Sequence, residues 1–332
     1  MRIVTGVSSP KVSILVATLN SELTIDGCLK AICELNYPQD LLEIIVVDGC
    51  STDGTLEIAE KYQVKVISAP LNAPAAYNYA LKIVSSDVIG FIDADAKVEK
   101  EWLNKLVAYL DNPQVAGVSG GIETWNKGNA WARSIGYDLE NRYARLKKSV
   151  VRIATMNLLM KKKVIEEVGG FDEHLSSQYD TDLGFRITSR SYRILFEPDA
   201  KCYHFNRSTV RAYFKQQLQY GKNTVKLYFK HSKLIKGDRI TDFGMNIQPL
   251  LLLAVTSCFF LGLPEALRFS WYASAFLLCS IFVYYVFSAV KLAVKFKDNV
   301  AMLLVVLYFV RALAWFIGAV ITTVKFLAGD RR

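Results

Sequence analysis

Val88-Ile89-Gly90-Phe91-Ile92-Asp93-Ala94-Asp95 is an apolar, partly β-branched run that stops at two carboxylates one residue apart. This is the pattern of a central parallel strand at its carboxyl end. Open α/β sheets hold their ligands at that edge. Two aspartates there repel each other and lose hydration unless a positive charge lies between them. A divalent cation carrying a diphosphate is the simplest such partner. Because Asp-x-Asp is short, a solvated acidic turn is the alternative, and the neighbouring sequence decides between the two.

Upstream, the same pattern repeats. Val12–Thr18 reads as a first strand and Thr24–Leu35 as a helix after the turn Asn20-Ser21-Glu22. Glu43–Asp48 is a second buried strand that also ends in an acid. The turn Gly49–Thr55 is rich in capping residues and opens a helix over Thr55–Tyr62. Val64–Ser68 and Ala73–Ser85 read as a third strand and helix, and a helix over Glu99–Leu110 follows the aspartates. Strands alternating with helices imply βαβ units and a mostly parallel sheet flanked by helices. Acids at the same edge of two strands are harder to attribute to chance than one acidic turn.

Composition limits the alternatives. The chain has 332 residues, 52% of them hydrophobic, and a formal net charge of +9. The apolar excess collects after about residue 245. Nine Lys/Arg and only one acid fall between Arg207 and Arg239. Such a stretch suggests nucleic acid first, but its place before an apolar tail points to anionic membrane lipids and away from nucleic acid. The six cysteines show no CxxC and no metal-ligand spacing, so they are expected to be reduced, with Cys258 and Cys279 as packing residues. Met1–Pro10 lacks the apolar core of a secretory signal. With no G-x-G-x-x-G after the first strand and no GxxxxGK[ST], neither a dinucleotide fold nor a P-loop is supported.

The ordered motifs resemble the family 2 glycosyltransferases. Ala17–Glu22, Val46-Val47-Asp48-Gly49-Cys50-Ser51-Thr52-Asp53-Gly54-Thr55 and Asp93-Ala94-Asp95 are followed by Gly169-Gly170-Phe171-Asp172-Glu173, by Asp180-Thr181-Asp182-Leu183 with Arg186, and by Gln216–Gly221. The VDGxSTDGT wording is closest to membrane-bound, succinoglycan-type members, and the likeness runs over roughly residues 10–235. It implies a GT-A fold with a Rossmann-like nucleotide half and an acceptor half, and an inverting transfer from a UDP- or GDP-sugar.

By that resemblance Asp95 ligates Mg²⁺ or Mn²⁺, and Asp93 contacts ribose or the metal. Asp48, Thr18, Asn20 and Glu22 line the nucleotide pocket, and Asn78 is carried over to it. Asp53 is assigned instead to capping the helix at Thr55. Asp180 aligns with the base that takes the acceptor proton. Asp182 is a supporting acid, which Arg186 at i+4 orients. His204 is open between metal ligand and structural histidine. Gly169-Gly170 reads as a turn that lets the acceptor loop pass close to the sugar. Tyr179 replaces a usual Glu and Tyr77 a usual Arg. These departures leave open a non-catalytic membrane scaffold with a degenerate pocket.

The tail adds a membrane. Ile247–Pro264, Phe269–Val290 and Val300–Leu327 are apolar enough for spans of about 20 residues, with Trp271 and Tyr272 as interfacial anchors and Arg311 inside the last. Ahead of them, Ser208–Lys236 reads as a basic amphipathic helix, either in the headgroup layer or packed on the domain. Gly221 is expected to break or kink it. A loop carrying Lys291, Lys295 and Lys297 is cytoplasmic by the positive-inside rule. That reading gives a catalytic domain over 1–206, interfacial helices over 207–243 and a transmembrane region over 244–332. The protein is then integral to the cell membrane, its catalytic domain cytoplasmic and its C-terminus opposite. The expected acceptor is a lipid-linked sugar or growing polysaccharide, with polyprenyl phosphate as the alternative. A transport subunit fits less well, because the tail has few polar residues for a pathway.

Overall fold

The structure, a computed structural model, describes residues 9–329, so most of Met1–Pro10 lies outside it. The chain opens with β1 (Val12–Thr18), α1 (Ile25–Cys33), β2 (Leu42–Asp48), α2 (Thr55–Ala59), β3 (Lys65–Ser68), α3 (Ala73–Ile83) and β4 (Val88–Phe91). It continues through β5 (Ala96–Val98), α4 (Trp102–Val107), β6 (Val115–Thr124), α5 (Ala130–Tyr143), β7 (Ser149–Val150), β8 (Leu158–Lys161), α6 (Lys162–Glu167), α7 (Tyr179–Ser189) and β9 (Arg193–His204). Long helices end it: α8 (Val210–Lys230), α9 (Phe243–Leu261), α10 (Ser270–Phe296) and α11 (Leu304–Leu327). Two compact units result. One comprises Met1–Trp125 with Leu146–Phe205, the other Asn126–Arg145 with Asn206–Arg332.

In the first unit, nine strands among the described residues pair in the order β3-β2-β1-β4-β8-β6-β9-β5, with β7 also on β9. The half β3-β2-β1-β4 is parallel, as the βαβ reading requires. Beyond it the sheet is mixed, because β8 runs antiparallel to both β4 and β6. Alternation along the strands explains two cores. Ile14, Val16 and Val46 face α1 and α4 on one side; Leu15, Ile45 and Val47 face α3, α6 and α7 on the other. The long strand β9 absorbs Pro198-Asp199, read from sequence as a turn. A register shift opposite Gly120 and Ile122 lets the strand run on to His204. The expected fourth strand ends at Phe91, leaving Asp93 and Asp95 in the connection to β5.

In the second unit, three helices are long and apolar enough to cross a membrane: Phe243–Leu261, Ser270–Phe296 and Asn299–Leu327. Asp242 accepts the Met245 N–H at 3.0 Å and so starts the first of them ahead of Ile247. Lys291 and Lys295, expected in a loop, occupy the last turns of α10, where cations favour the helix C-terminus. Cys279 is exposed and Cys258 half-buried, so neither is an interior packing residue of this unit.

Gly221 does not break α8, which is continuous through it. A Cβ there would lie 2.7 Å from Trp315 Cα, and one on Gly318 would lie 2.7 Å from the Leu218 carbonyl. The two glycines let α8 and α11 approach backbone to backbone. The buried side of α8 is Tyr213, Gln217, Gly221, Asn223 and Leu227. Gln217 accepts the Trp315 indole N–H at 2.9 Å. Arg311 faces Asp138 of α5 at 3.3 Å, so this arginine inside a span has a carboxylate on a neighbouring helix.

Candidate active site

The parallel half of the sheet places three of the expected residues at one edge. Thr18 and Asp48 are register partners at the ends of β1 and β2, and both are buried. Asp48 accepts from the Ser51 N–H at 2.8 Å and from the Ser68 hydroxyl at 3.3 Å. Thr18 Oγ1 is buried without a partner among the described residues. An orphaned hydroxyl at this edge fits a ligand group that would complete it. Asn20, with φ of 51°, accepts the Thr52 N–H at 2.9 Å and ties its turn to the one after β2. Asp53 accepts from the Thr55 hydroxyl, which first holds its carboxyl below the ordinary range, and from the N–H groups of Thr55 at 3.1 Å and Glu22 at 3.2 Å, which add to that. Its capping role and the placement of Glu22 are thus one arrangement.

Asp93 and Asp95 flank the turn into β5. The Asp93 carbonyl accepts the Ala96 N–H at 2.9 Å, and the Asp95 carbonyl accepts the Phe205 N–H at 2.8 Å. The second bond brings β9 alongside, so His204 Nε2 lies 3.4 Å from Asp95 Oδ1. Burial, and then the neighbouring Asp95, push the Asp93 carboxyl up to about 7; Thr155 and His204 oppose the rise and Asp180 adds to it. Both aspartates therefore favour a cation. Asp95, Asp93 and His204 are a donor set suited to one, although among the described residues no group of three acid, His or Cys side chains is poised as a complete metal cage. A divalent ion held by one or two carboxylates and a substrate diphosphate needs no such cage.

Asp180 reaches the same place from the other half of the fold. It opens α7, where its Oδ1 accepts the Thr181 N–H at 2.7 Å. Burial pushes its carboxyl up to about 6, against that N–H and the Arg152 guanidinium. Asp180 and Asp93 thus share one electrostatic environment. Asp182 and Arg186 do something else. Asp182 is fully buried and accepts from Arg186 Nε at 2.8 Å, the i, i+4 geometry expected. The guanidinium's other nitrogens donate to the Val168 and Gly170 carbonyls, each at 2.6 Å. The pair clamps the Gly169-Gly170 turn, whose φ values are 85° and 71°. Asn78 grips the same loop: its amide donates to Phe171 O at 2.9 Å and Glu173 at 2.8 Å, and accepts the Phe171 N–H at 2.8 Å. Its donors are therefore committed to protein rather than to a nucleotide sugar.

Sequence reasoning treated Tyr77 and Tyr179 as separate departures. The structure joins them, with ring centroids 6.3 Å apart and both against Phe171. Tyr77 is buried and its hydroxyl donates to Asp93 Oδ1 at 3.1 Å. Thr155 and Arg152, in the segment before β8, complete the surroundings and were not singled out. The one available signal was that both departures are to the same aromatic residue.

Residues 13–169 match the family model described as glycosyl transferase family 2. Glycosyltransferase AglE of Haloferax volcanii is 28% identical over 231 residues, covering 66% of this chain and 74% of that protein. Beta-monoglucosyldiacylglycerol synthase of Synechocystis is 27% identical over 200 residues, or 56% of this chain and 42% of that one. The mannosyltransferase PcManGT from Pyrobaculum calidifontis, solved with GDP-Man and Mn²⁺, superposes with a TM-score of 0.60 at 20% identity. That match covers 95% of this chain and 88% of the other, and at such identity it is a likeness of fold.

Proposed function

Because the chain belongs to glycosyltransferase family 2, we propose that it transfers a hexose, with inversion, from a UDP- or GDP-sugar to a membrane-associated acceptor. The acceptor is a lipid-linked sugar or a growing polysaccharide. One observation carries the reading: Asp93 and Asp180, 87 residues apart in sequence and both half-buried, each hydrogen-bond to Thr155. The likeness to a fold solved with GDP-Man and Mn²⁺ supports a nucleotide-sugar donor and a divalent ion. A relative named for the synthesis of a glucosylated diacylglycerol supports a lipid-bound acceptor.

Asp95, with Asp93 and His204, would hold Mg²⁺ or Mn²⁺, which when bound supplies positive charge to the leaving diphosphate. Asp48 and Thr18 take the polar edge of the nucleoside, on a floor fixed by Asn20 and Glu22. Asp180 removes the proton of the acceptor hydroxyl as its oxygen bonds to the anomeric carbon and the sugar–diphosphate bond breaks. A base raised to about 6 is ionised at neutral pH yet is a stronger proton acceptor than an ordinary carboxylate. The Asp182–Arg186 pair and Asn78 position the loop beside it and touch no reacting atom. A cytoplasmic catalytic domain, where nucleotide sugars are made, is the reading that the lysines at the end of α10 support, and the basic side of α8 suits anionic lipids.

Thermal-shift titration of the full chain with UDP- and GDP-sugars, with and without Mn²⁺, tests the reading. One nucleotide class should stabilise the protein only with the metal, and Asp95→Ala should abolish the shift. Equal stabilisation without metal, or a full shift in Asp95→Ala, would overturn the assignment of Asp95.

A further inference from the structure

In the helical unit, α5, α9, α10 and α11 enclose a cavity of about 390 Å³, within the range of small-molecule sites. Arg142, Arg145, Lys291, Lys295 and Arg311 line it, against the carboxylates of Asp138 and Asp242. Both carboxylates are already engaged. Asp138 accepts from the Tyr308 hydroxyl at 2.9 Å and pairs with Arg142 at 3.2 Å and Arg311 at 3.3 Å. Asp242 caps α9 and pairs with Arg145 at 3.2 Å. Neither lysine pairs with a carboxylate among the described residues. Among the described residues, Lys291 has only the Phe287 ring at 4.4 Å, and Lys295 donates to the neutral Asn141 at 2.8 Å.

Two buried polar atoms in the lining point the same way. Arg311 is 4% exposed and its Nε has no partner among the described residues; Gln248 is 5% exposed and its Oε1 has none. The cations in excess of the two carboxylates, Lys291 and Lys295, lie on the exposed side of the lining, where a headgroup can reach them. Guanidinium and ammonium groups converging on one space match the oxygens of a phosphate. Gln248 Oε1 suits a hydroxyl on the same headgroup. Three of the enclosing helices are long and apolar enough to cross a membrane, and α9 and α10 expose Leu250, Leu253 and Phe287. An amphiphile can use that surface, whereas a free anion cannot.

The geometry points to a binding site for the phosphate headgroup of a membrane lipid, held by Arg311, Lys291 and Lys295. The site belongs to the helical unit and does not depend on the sugar-transfer reading. The test uses the full chain in phosphatidylcholine nanodiscs, titrated with phosphatidylglycerol, with polyprenyl phosphate and with inorganic phosphate, and read by native mass spectrometry. Saturable binding of at least one phosphate lipid is expected. Binding of polyprenyl phosphate alone would identify a monoester site, and of phosphatidylglycerol alone a diester site. Lys291→Gln/Lys295→Gln should weaken it by about tenfold or more. Arg311→Gln removes one of the two guanidinium partners of Asp138 and risks unfolding, so the exposed lysines carry the test. Unchanged affinity in the double variant would overturn the proposal, as would lipid binding displaced equally well by inorganic phosphate.

Discussion

The Tyr77 hydroxyl donates to Asp93 Oδ1 at 3.1 Å, so a neutral donor occupies the place where the resemblance calls for an arginine. Tyr77 gives Asp93 a hydrogen bond without a counter-charge. Asp93 accordingly stays raised, at about 7, until a cation arrives. Tyr77→Phe should raise it further and weaken Mn²⁺-dependent nucleotide binding about tenfold near pH 7. Calorimetric titration checks this, and the deficit should shrink as pH rises and Asp93 ionises without help.

Asp180 sets the acid limb of the pH profile. Turnover should fall tenfold per pH unit below about 6, where the base is protonated. Asp180→Asn should lower turnover by roughly a hundredfold or more if the acceptor is a hydroxyl. A phosphate acceptor, already an anion, would leave a high residual rate. Radiolabelled sugar transfer across a pH series distinguishes the two.

The same shift affects folding. An unfolded Asp titrates near about 3.9, and the folded Asp180 near about 6. Between these values the folded state holds the extra proton, so this group's contribution to stability is lost as pH rises through the window. At pH 7.5, Asp180→Asn should therefore raise the melting temperature of the catalytic unit by roughly 2–4 °C while removing activity. A lowered melting temperature would show that the native carboxylate is better solvated than its burial implies.

Asp182 and Arg186 should respond in the opposite way. Asp182→Ala leaves a guanidinium with its carboxylate gone, at a cost of up to about 3–5 kcal/mol. Arg186→Lys retains charge but cannot reach Asp182, Val168 and Gly170 together. Both variants should melt earlier, and turnover lost at low temperature should appear mainly as a raised KM for the acceptor. A changed pH profile with unchanged stability would instead make Asp182 a proton carrier.

The legible part of this fold was the part written in local runs. β1, β2 and β4 each read as an apolar stretch, and Asp48 and Asp93 stand where those stretches stop. Asp180 was recoverable only through motif order, because its partner Asp93 is far away in sequence. Asn78 looked like a nucleotide ligand because nothing local reveals that Phe171 and Glu173 return to bind it. Gly221 looked like a break because a glycine's local cost is visible, whereas the backbone it admits belongs to Trp315. Helix α5 carries an apolar stripe of Trp131, Ile135 and Leu139, but nothing local in it tells that its partners are the C-terminal helices.

That close crossing can be tested directly. Gly221→Ala or Gly318→Ala should force α8 and α11 apart and cost about 1–3 kcal/mol. Gly128→Ala, where a Cβ meets nothing within 4 Å, is the control. Thermal melts in detergent should separate the three variants, and equal melting would show that the helices yield without strain.

Asp138 precedes Arg311 by 173 residues. At about 5–20 residues per second, a ribosome needs roughly 10–30 s to deliver the arginine after the aspartate. During that interval α5 has emerged but its buried ion pair has not, and its neighbours in α10 and α11 do not yet exist. The helix must wait, solvated or held by a chaperone, while the strands that follow it in the chain are made. Arg133, Asp138, Glu140 and Arg142 keep one side of the helix hydrated during that interval, whereas Trp131 and Ile135 must wait for the apolar helices that cover them.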